Sequence, residues 1–243
     1  MSFVAGDAEF RNRFWIIGAS YGLGFFLYAV DQTKIVAALA HRILGPGVGE
    51  DSVQFDHTVR VIFALGTLLV VLAALVRSWA TSYLQASVVH DAGLHSERLL
   101  ADGPYRYLRN PLYLGNILMA MGLGLMASRV GFVVIVVMNI LIVLRLIGRE
   151  EAGLLASQGE SYRRYYEAVP KLMPALRARV PAGSGKPNWR DGFFGESFVW
   201  GFAAGSAALT VTLSVGWFWV FAGSGFAIYF LQSYLRSKEK SSS

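Results

Sequence analysis

The fold class this sequence predicts is all-α, a polytopic membrane helix bundle, and three observations predict it. Hydrophobic residues make up 54% of the 243-residue chain and charged residues only 16%, against roughly 25% charged in an ordinary soluble domain. The charges are confined to segments that alternate with long uncharged runs: Phe14 to Val30, Val61 to Val76, Pro111 to Ser128, Val130 to Leu144 and Ser197 to Leu235. The last run holds 39 residues, about twice the roughly 20 that cross a bilayer. Composition therefore excludes a disordered chain and argues against a soluble enzyme. Cysteine is absent, which removes disulfides, thiolate metal sites and cysteine nucleophiles from consideration.

Taken in order, the runs predict about six transmembrane helices. The first follows Arg11 and Arg13, but its aromatic content and lack of an A-x-A site favour an uncleaved span over a signal peptide. Several runs are slightly short, and their flanking arginines can snorkel to the interface. Segment 31–57, with Gly45-Pro46-Gly47, reads as a loop. The third helix starts at Pro111, a proline at the first helical position behind the N-cap residue Asn110. The fourth runs past Arg145 and Arg149 into water as an amphipathic extension. The final run reads as a hairpin turning near Ser214 to Gly216 that serves first as extra anchoring, with the shaping of substrate entry or a dimer contact as alternatives, and the tail from Arg236 to Ser243 as frayed.

Orientation follows from the basic residues. With both termini cytoplasmic, the outer segments carry Lys34, Arg42, Arg60 and Arg129 against four acids, so the whole +6 lies on the inner face. That distribution suits an anionic leaflet rather than nucleic acid. The chain divides into amino-terminal helices at 1–76, a core at 77–196 holding two polar inner segments, and a hairpin with tail at 197–243.

Several patterns are set aside. Gly183-Ser184-Gly185-Lys186 lacks the first glycine and the Ser/Thr of a phosphate loop. Gly122-x-Gly124 lies inside a span, so it is not a dinucleotide fingerprint. Gly18-x-x-x-Gly22 and Gly201-x-x-x-Gly205 read as close helix packing. His41, His57, His90 and His95 have no metal-ligand spacing, and no metal is expected.

The string Gly103-Pro104-Tyr105-Arg106-Tyr107-x-Arg109-Asn110-Pro111-x-Tyr113-x-Gly115 packs turn, cation and aromatic signals together. After a helical hairpin it is followed by Glu150-Glu151, Leu154, Gly159, Tyr162, Tyr165, Val169-Pro170 and Pro174. In order, spacing and membrane context these two motifs resemble the isoprenylcysteine carboxyl methyltransferase and phospholipid methyltransferase superfamily, over roughly residues 77–174. Arg77-x-Trp79-Ala80 is similar to the approach to the first motif. The resemblance implies an integral-membrane enzyme that uses S-adenosylmethionine and takes a lipophilic carboxylate or amine from the bilayer. It implies a cofactor site formed by Tyr105, Arg109, Asn110, Tyr113 and Gly115 on one side and Glu150, Glu151 and Tyr162 on the other. One departure is Asn110, where well-known members often carry histidine.

The residue types suit that cofactor. Tyrosine faces attract a sulfonium, a glutamate binds ribose hydroxyls or an ammonium, and Arg109 or the N–H groups opening the third helix take a carboxylate. Arg145, Arg149 and Glu150 are the candidate catalytic residues: the arginines to orient an anionic head group, and Glu150, or its neighbour Glu151, to accept a proton from an amine. Glu151→Ala and Tyr113→Ala are expected to weaken cofactor binding with the fold intact. The alternatives are a membrane reductase of the sterol-reductase type using NADPH, and a non-catalytic protein of the same fold.

Overall fold

The structure is a computed structural model that describes residues 4–45, 47–90 and 102–241. Part of the first polar inner segment, including His95, lies outside the described residues. Among the described residues the chain is all helical, with α1 (Asp7–Arg11), α2 (Arg13–Phe26), α3 (Ile35–Leu44), α4 (Val53–His90), α5 (Pro111–Gly124), α6 (Arg129–Gln158), α7 (Glu160–Ala168), α8 (Trp189–Gly195), α9 (Ser197–Thr212) and α10 (Val215–Ser241).

Among the described residues, three helices are long and apolar enough to cross a membrane: Val53–Leu84, Arg129–Gln158 and Val215–Leu235. By length, these three are the described helices that meet the expectation of six spans. The helices α2, α5 and α9 hold 14, 14 and 16 residues, which at 1.5 Å per residue reach about 21–24 Å, short of the ~30 Å hydrocarbon core. They lie as shorter apolar rods against the longer ones. Segment 31–57 also departs from the loop expected of it, since Ile35–Leu44 folds as α3 and packs Val36 and Ala40 against Phe55, Val59 and Ile62 of α4. Its apolar stripe was obscured by the neighbouring charges and Gly-Pro-Gly. Residue 77 falls inside the continuous α4.

The main core joins α4, α5, α9 and α10 through Val70, Ala73, Met119, Val199, Ala203 and Phe218. Small residues set how closely these helices approach. A Cβ on Gly122 would lie 2.6 Å from the Gly66 carbonyl oxygen, and one on Gly201 would lie 2.8 Å from the Gly225 Cα. The second glycine pair expected to pack helices, Gly18 and Gly22, behaves differently. Neither has an atom within 4 Å of an added Cβ, and both line a cavity. The contact between α2 and α6 is made instead at Gly24 and Gly131, where Asn139 Nδ2 also donates to Ser20 Oγ at 2.9 Å.

The α9–α10 turn falls at Leu213–Ser214, where Leu213 adopts φ +52°, in agreement with the turn expected near Ser214. Arg60 of α4 reaches this end and donates to the Thr210 carbonyl at 3.1 Å. At the same end Arg129 donates to Asp31 at 3.1 and 3.2 Å.

Those hydrogen bonds hold the Asp31 carboxyl at about 2, against an ordinary 3.8. Because the folded value is depressed, the stabilisation is complete above pH 3.8 and is lost as pH falls toward 2. Arg129→Gln is therefore expected to lower the unfolding midpoint at neutral pH and to converge on the parent protein near pH 2. Thermal unfolding in detergent across that acid limb checks it, and parallel curves at every pH would rule it out.

Candidate functional site

The first motif is held by a turn whose geometry only glycine meets comfortably. Gly103 has φ +54°, and a Cβ there would lie 2.4 Å from the Tyr83 ring. The chain makes one 3₁₀ turn over Gly103–Arg106 and enters α5 at Pro111. Asn110 occupies the N-cap position as expected, but its side chain does not cap the helix. Its Nδ2 donates instead to Glu151 Oε1 at 3.0 Å and to the Lys171 carbonyl at 3.1 Å.

The second motif arrives on α6, which carries Glu150 and Glu151 before Gly159, at φ +59°, redirects the chain into α7. Arg109 Nε donates to Glu151 Oε1 at 2.8 Å, with the two side chains 7% and 5% exposed. Arg109 Nη1 donates to the Val169 carbonyl at 3.1 Å and to that of Tyr166, whose ring lies 3.9 Å from the guanidinium carbon. Lys171 Nζ stands 4.0 Å from Glu151 Oε2. The motifs are thus joined through a buried cluster in which one carboxylate oxygen accepts from Arg109 and Asn110 together. Beside it, the Tyr113 hydroxyl donates to Glu150 Oε1 at 2.9 Å.

Residues 169–185 return across the first motif as a strap. Arg109 N donates to Pro170 O at 2.9 Å, Ala175 N to Tyr107 O at 3.0 Å and Arg179 N to Arg106 O at 2.8 Å. The glycine stretch set aside as a phosphate loop grips a carboxylate of its own chain: Gly183 N and Gly185 N donate to Asp102 at 2.6 and 2.9 Å. Beneath the strap Tyr162, Tyr165 and Val169 form a small core, and the Tyr165 hydroxyl donates to the Tyr105 carbonyl at 2.9 Å. Burial pushes the phenols of Tyr105, Tyr162 and Tyr165 up, so they stay neutral.

A cavity of about 540 Å³ adjoins this cluster, walled by α2, α4, α5, α6, α9 and α10. Its wall is largely apolar and aromatic, with Phe14, Phe202, Phe218, Trp219 and Phe226 prominent. Arg13, Tyr21, Arg77, Tyr113, Asn116 and Glu150 bring polar groups to it. Arg77 is fixed from three directions. Its Nε donates to Glu196 Oε2 at 2.7 Å, and its Nη1 to Asn116 Oδ1 at 2.6 Å and the Leu112 carbonyl at 3.3 Å. Thr81 donates to the other Glu196 oxygen at 2.7 Å.

Of the residues singled out from sequence, Arg109, Asn110 and Glu151 meet in one cluster, and Tyr113 and Glu150 in a second that opens onto the cavity. Tyr105 and Tyr162 are packed below the strap. Gly115 makes room for Arg77, since a Cβ there would lie 2.4 Å from the Arg77 Cγ. Arg145 and Arg149 turn toward the amino-terminal segment. Arg145 donates to Glu9 at 2.7 Å, holding that carboxyl below its ordinary range, while Arg149 pairs with Asp7 and reaches the Ala5 carbonyl at 3.2 Å. Sequence reading passed over Arg13, Tyr21, Asn116 and Glu196 as site residues and took the hairpin for anchoring, whereas α9 and α10 supply cavity wall. Glu196 had left one signal, an acid immediately before a 39-residue uncharged run. Among the described residues, no three His, Asp or Glu side chains are grouped to hold a metal ion.

This is a helical membrane protein whose two polar motifs close over the end of a lipophilic cavity. Residues 61–158 match the phospholipid methyltransferase family, which shows the resemblance to the isoprenylcysteine carboxyl and phospholipid methyltransferase superfamily. The chain is also similar to the cobalt-zinc-cadmium resistance protein CzcN of Cupriavidus metallidurans, 28% identical over 116 residues, 48% of this chain and 50% of that protein. A second relative is the nickel-cobalt-cadmium resistance protein NccN of Alcaligenes xylosoxydans xylosoxydans, 27% identical over 125 residues, 51% of this chain and 55% of that one. The chain spans about half the length of these curated relatives. No solved structure matches it.

Proposed function

We propose that the chain is an integral-membrane methyltransferase that uses S-adenosylmethionine and methylates a lipophilic carboxylate or amine, isoprenylcysteine-like or phospholipid-like. The observation that carries this reading is the meeting of the two motifs, far apart in sequence, at the mouth of an apolar cavity. The residues present fit the cofactor in kind. Glu150 has one oxygen occupied by Tyr113 and the other without a hydrogen bond among the described residues, so it can take a ribose hydroxyl or an ammonium. Tyr113 offers an aromatic face to a sulfonium. When bound, the cofactor supplies an activated methyl group.

The protein's own work is to hold, orient and exclude water. The Arg109–Glu151–Asn110 cluster fixes the ends of α5 and α6, and so the placing of Tyr113 and Glu150. Gly115 seats Arg77 at the cavity wall, and Tyr105 and Tyr162 support the strap. Arg145 and Arg149 tether the amino-terminal segment beside the site. With an amine acceptor, the Glu150 oxygen that Tyr113 does not occupy can accept the proton. A dry apolar cavity favours a transfer in which opposite charges cancel, as with a carboxylate acceptor, and positioning supplies much of the acceleration. In this reading the core at 77–196 carries the chemistry at the cytosolic face, both termini are cytoplasmic, and 1–76 and 197–243 complete the cavity.

Calorimetric titration of the purified protein with S-adenosylhomocysteine, with NADPH as the comparison ligand, tests the reading. One-site binding of the former alone is expected, weakened about tenfold or more by Glu150→Gln, which removes a charge-assisted hydrogen bond. Binding of NADPH alone would establish a reductase instead. Binding of neither to folded protein would overturn the cofactor assignment.

A further inference from the structure

The strap that returns across the first motif is fastened by its backbone rather than its side chains. Main-chain groups of the strap make its hydrogen bonds to Asp102, Arg106, Tyr107 and Arg109, among them the Val180 carbonyl that accepts from Arg106 Nε at 3.0 Å. From Ala168 to Arg190 the chain holds five basic residues and no acid. Lys171 stands against Glu151, but Arg177, Arg179, Lys186 and Arg190 are exposed and have no side-chain partner among the described residues. The preceding helix shows the contrast. On α7 two arginines are matched by two glutamates, with Arg163 3.6 Å from Glu160. A face that meets only water carries mixed charge, as α7 does. A stretch of one sign without internal partners is complementary to an external anion.

The depth of this segment identifies the anion. Its far end is fastened to the last turns of the membrane-spanning part of α4, Val53–Leu84. Asn188 N donates to the Ser82 carbonyl at 2.9 Å, and a Cβ on Gly192 of α8 would lie 2.5 Å from the Ser78 carbonyl oxygen. The strap therefore descends to where a span leaves the hydrocarbon, which is the headgroup layer. There Trp189, Phe193 and Phe194 are exposed, and such rings settle at membrane interfaces. Lys186 and Arg190 flank Trp189 in the chain. Basic residues that only fix topology lie beside the ends of spans. That accounts for Arg190, but not for Arg177 and Arg179, which lie on the strap over the first motif with Leu176 fully exposed beside them.

We propose that the outer face of the strap and α8 is a docking surface for anionic phospholipid headgroups, and that this contact holds the strap down over the joined motifs. Arg177, Arg179, Lys186 and Arg190 meet the headgroup charge, and the α8 aromatics seat the surface at the interface. Residues 171–194 lie outside the segment that matches the family, and the proposal stands whether or not the site beneath transfers a methyl group.

The test places the full chain in nanodiscs of phosphatidylglycerol and phosphatidylcholine in equal parts, with brominated acyl chains on one lipid or the other. Quenching of Trp189 is read as the difference between the parent protein and Trp189→Phe. Phosphatidylglycerol is expected to quench Trp189 the more strongly, since each basic residue near an anionic surface favours contact about fivefold. High salt should reduce the excess. Replacing Lys186 and Arg190 together by Gln should cancel it without lowering the unfolding midpoint, because both are exposed and unpaired. Hydrogen exchange reports on the strap itself. The amides of Ala175, Arg179, Gly183 and Gly185 are expected to exchange several-fold more slowly in the mixed discs than in phosphatidylcholine alone, with α3, packed on the other end of α4, unchanged. Replacing Arg177 and Arg179 by Gln should remove most of that difference. Equal quenching by the two lipids, an excess untouched by the charge substitutions, or strap exchange indifferent to lipid charge would overturn the proposal. Slowing by poly-glutamate in phosphatidylcholine discs, with none by phosphatidylglycerol, would assign the face to an acidic protein instead.

Discussion

Glu151→Ala is expected to destabilise the protein by about 3–5 kcal/mol, the cost of removing one partner from a buried ion pair. The carboxylate is the shared acceptor of Arg109 and Asn110, and both ion-pair side chains are less than one-tenth exposed. Without it the Arg109 cation keeps two backbone carbonyls and the face of Tyr166, which soften the loss without replacing a counter-charge. Asn110 keeps only the Lys171 carbonyl. The geometry replaces the simpler expectation of weakened cofactor binding on an intact fold, because the residue joins α5, α6 and the strap. Cofactor affinity should fall as a consequence of displaced neighbours. Thermal unfolding followed by intrinsic fluorescence reads this directly, with Glu151→Gln intermediate since it keeps an acceptor without the charge. A parent-like midpoint for Glu151→Ala would show that the cluster contributes nothing to folding.

Gly131→Ala should be comparably severe for a steric reason. A Cβ at Gly131 would lie 2.2 Å from the Gly24 carbonyl oxygen, and backbone cannot swing aside as a side-chain tip does. The helices α2 and α6 must separate, at a cost of about 1–3 kcal/mol or more for an overpacked contact. They would strain the Asn139–Ser20 hydrogen bond and shift the wall that carries Arg13 and Tyr21. Gly18→Ala is the matched control, since an added Cβ there meets nothing within 4 Å. The expected result is a lowered midpoint for Gly131→Ala and an unchanged midpoint for Gly18→Ala. Equal midpoints would refute the packing argument.

What the sequence disclosed, and what it withheld, follows from the range of the interactions. The α9–α10 hairpin was readable because an uncharged run twice a bilayer's length must turn, and the start of α5 because Asn110-Pro111 is a local signal. The joining of the two motifs followed from their shared resemblance. The α3 helix was missed because ten residues between charged and glycine-rich stretches give too short a pattern. Glycine spacing alone did not distinguish Gly201, which meets a facing helix, from Gly18, which faces open space. The side chain of Asn110 was misjudged for a similar reason: position predicts a cap, but a carboxylate 41 residues away outcompetes the backbone for its amide. The wall of the cavity was the least legible part, because Arg13, Arg77 and the hairpin aromatics meet only in three dimensions.

The pairing of Arg77 with Glu196 across 119 residues also constrains how the protein is made. During synthesis the helix bearing Arg77 enters the bilayer long before Glu196 leaves the ribosome. In that interval its guanidinium must rest at the interface, near headgroups or water, and cannot be drawn to its final depth. The last two helices therefore do more than add anchors: they bring the counter-charge and close the cavity in one event. A nascent chain halted before Glu196 holds residues 61–158 and lacks the cavity wall that α9 and α10 supply.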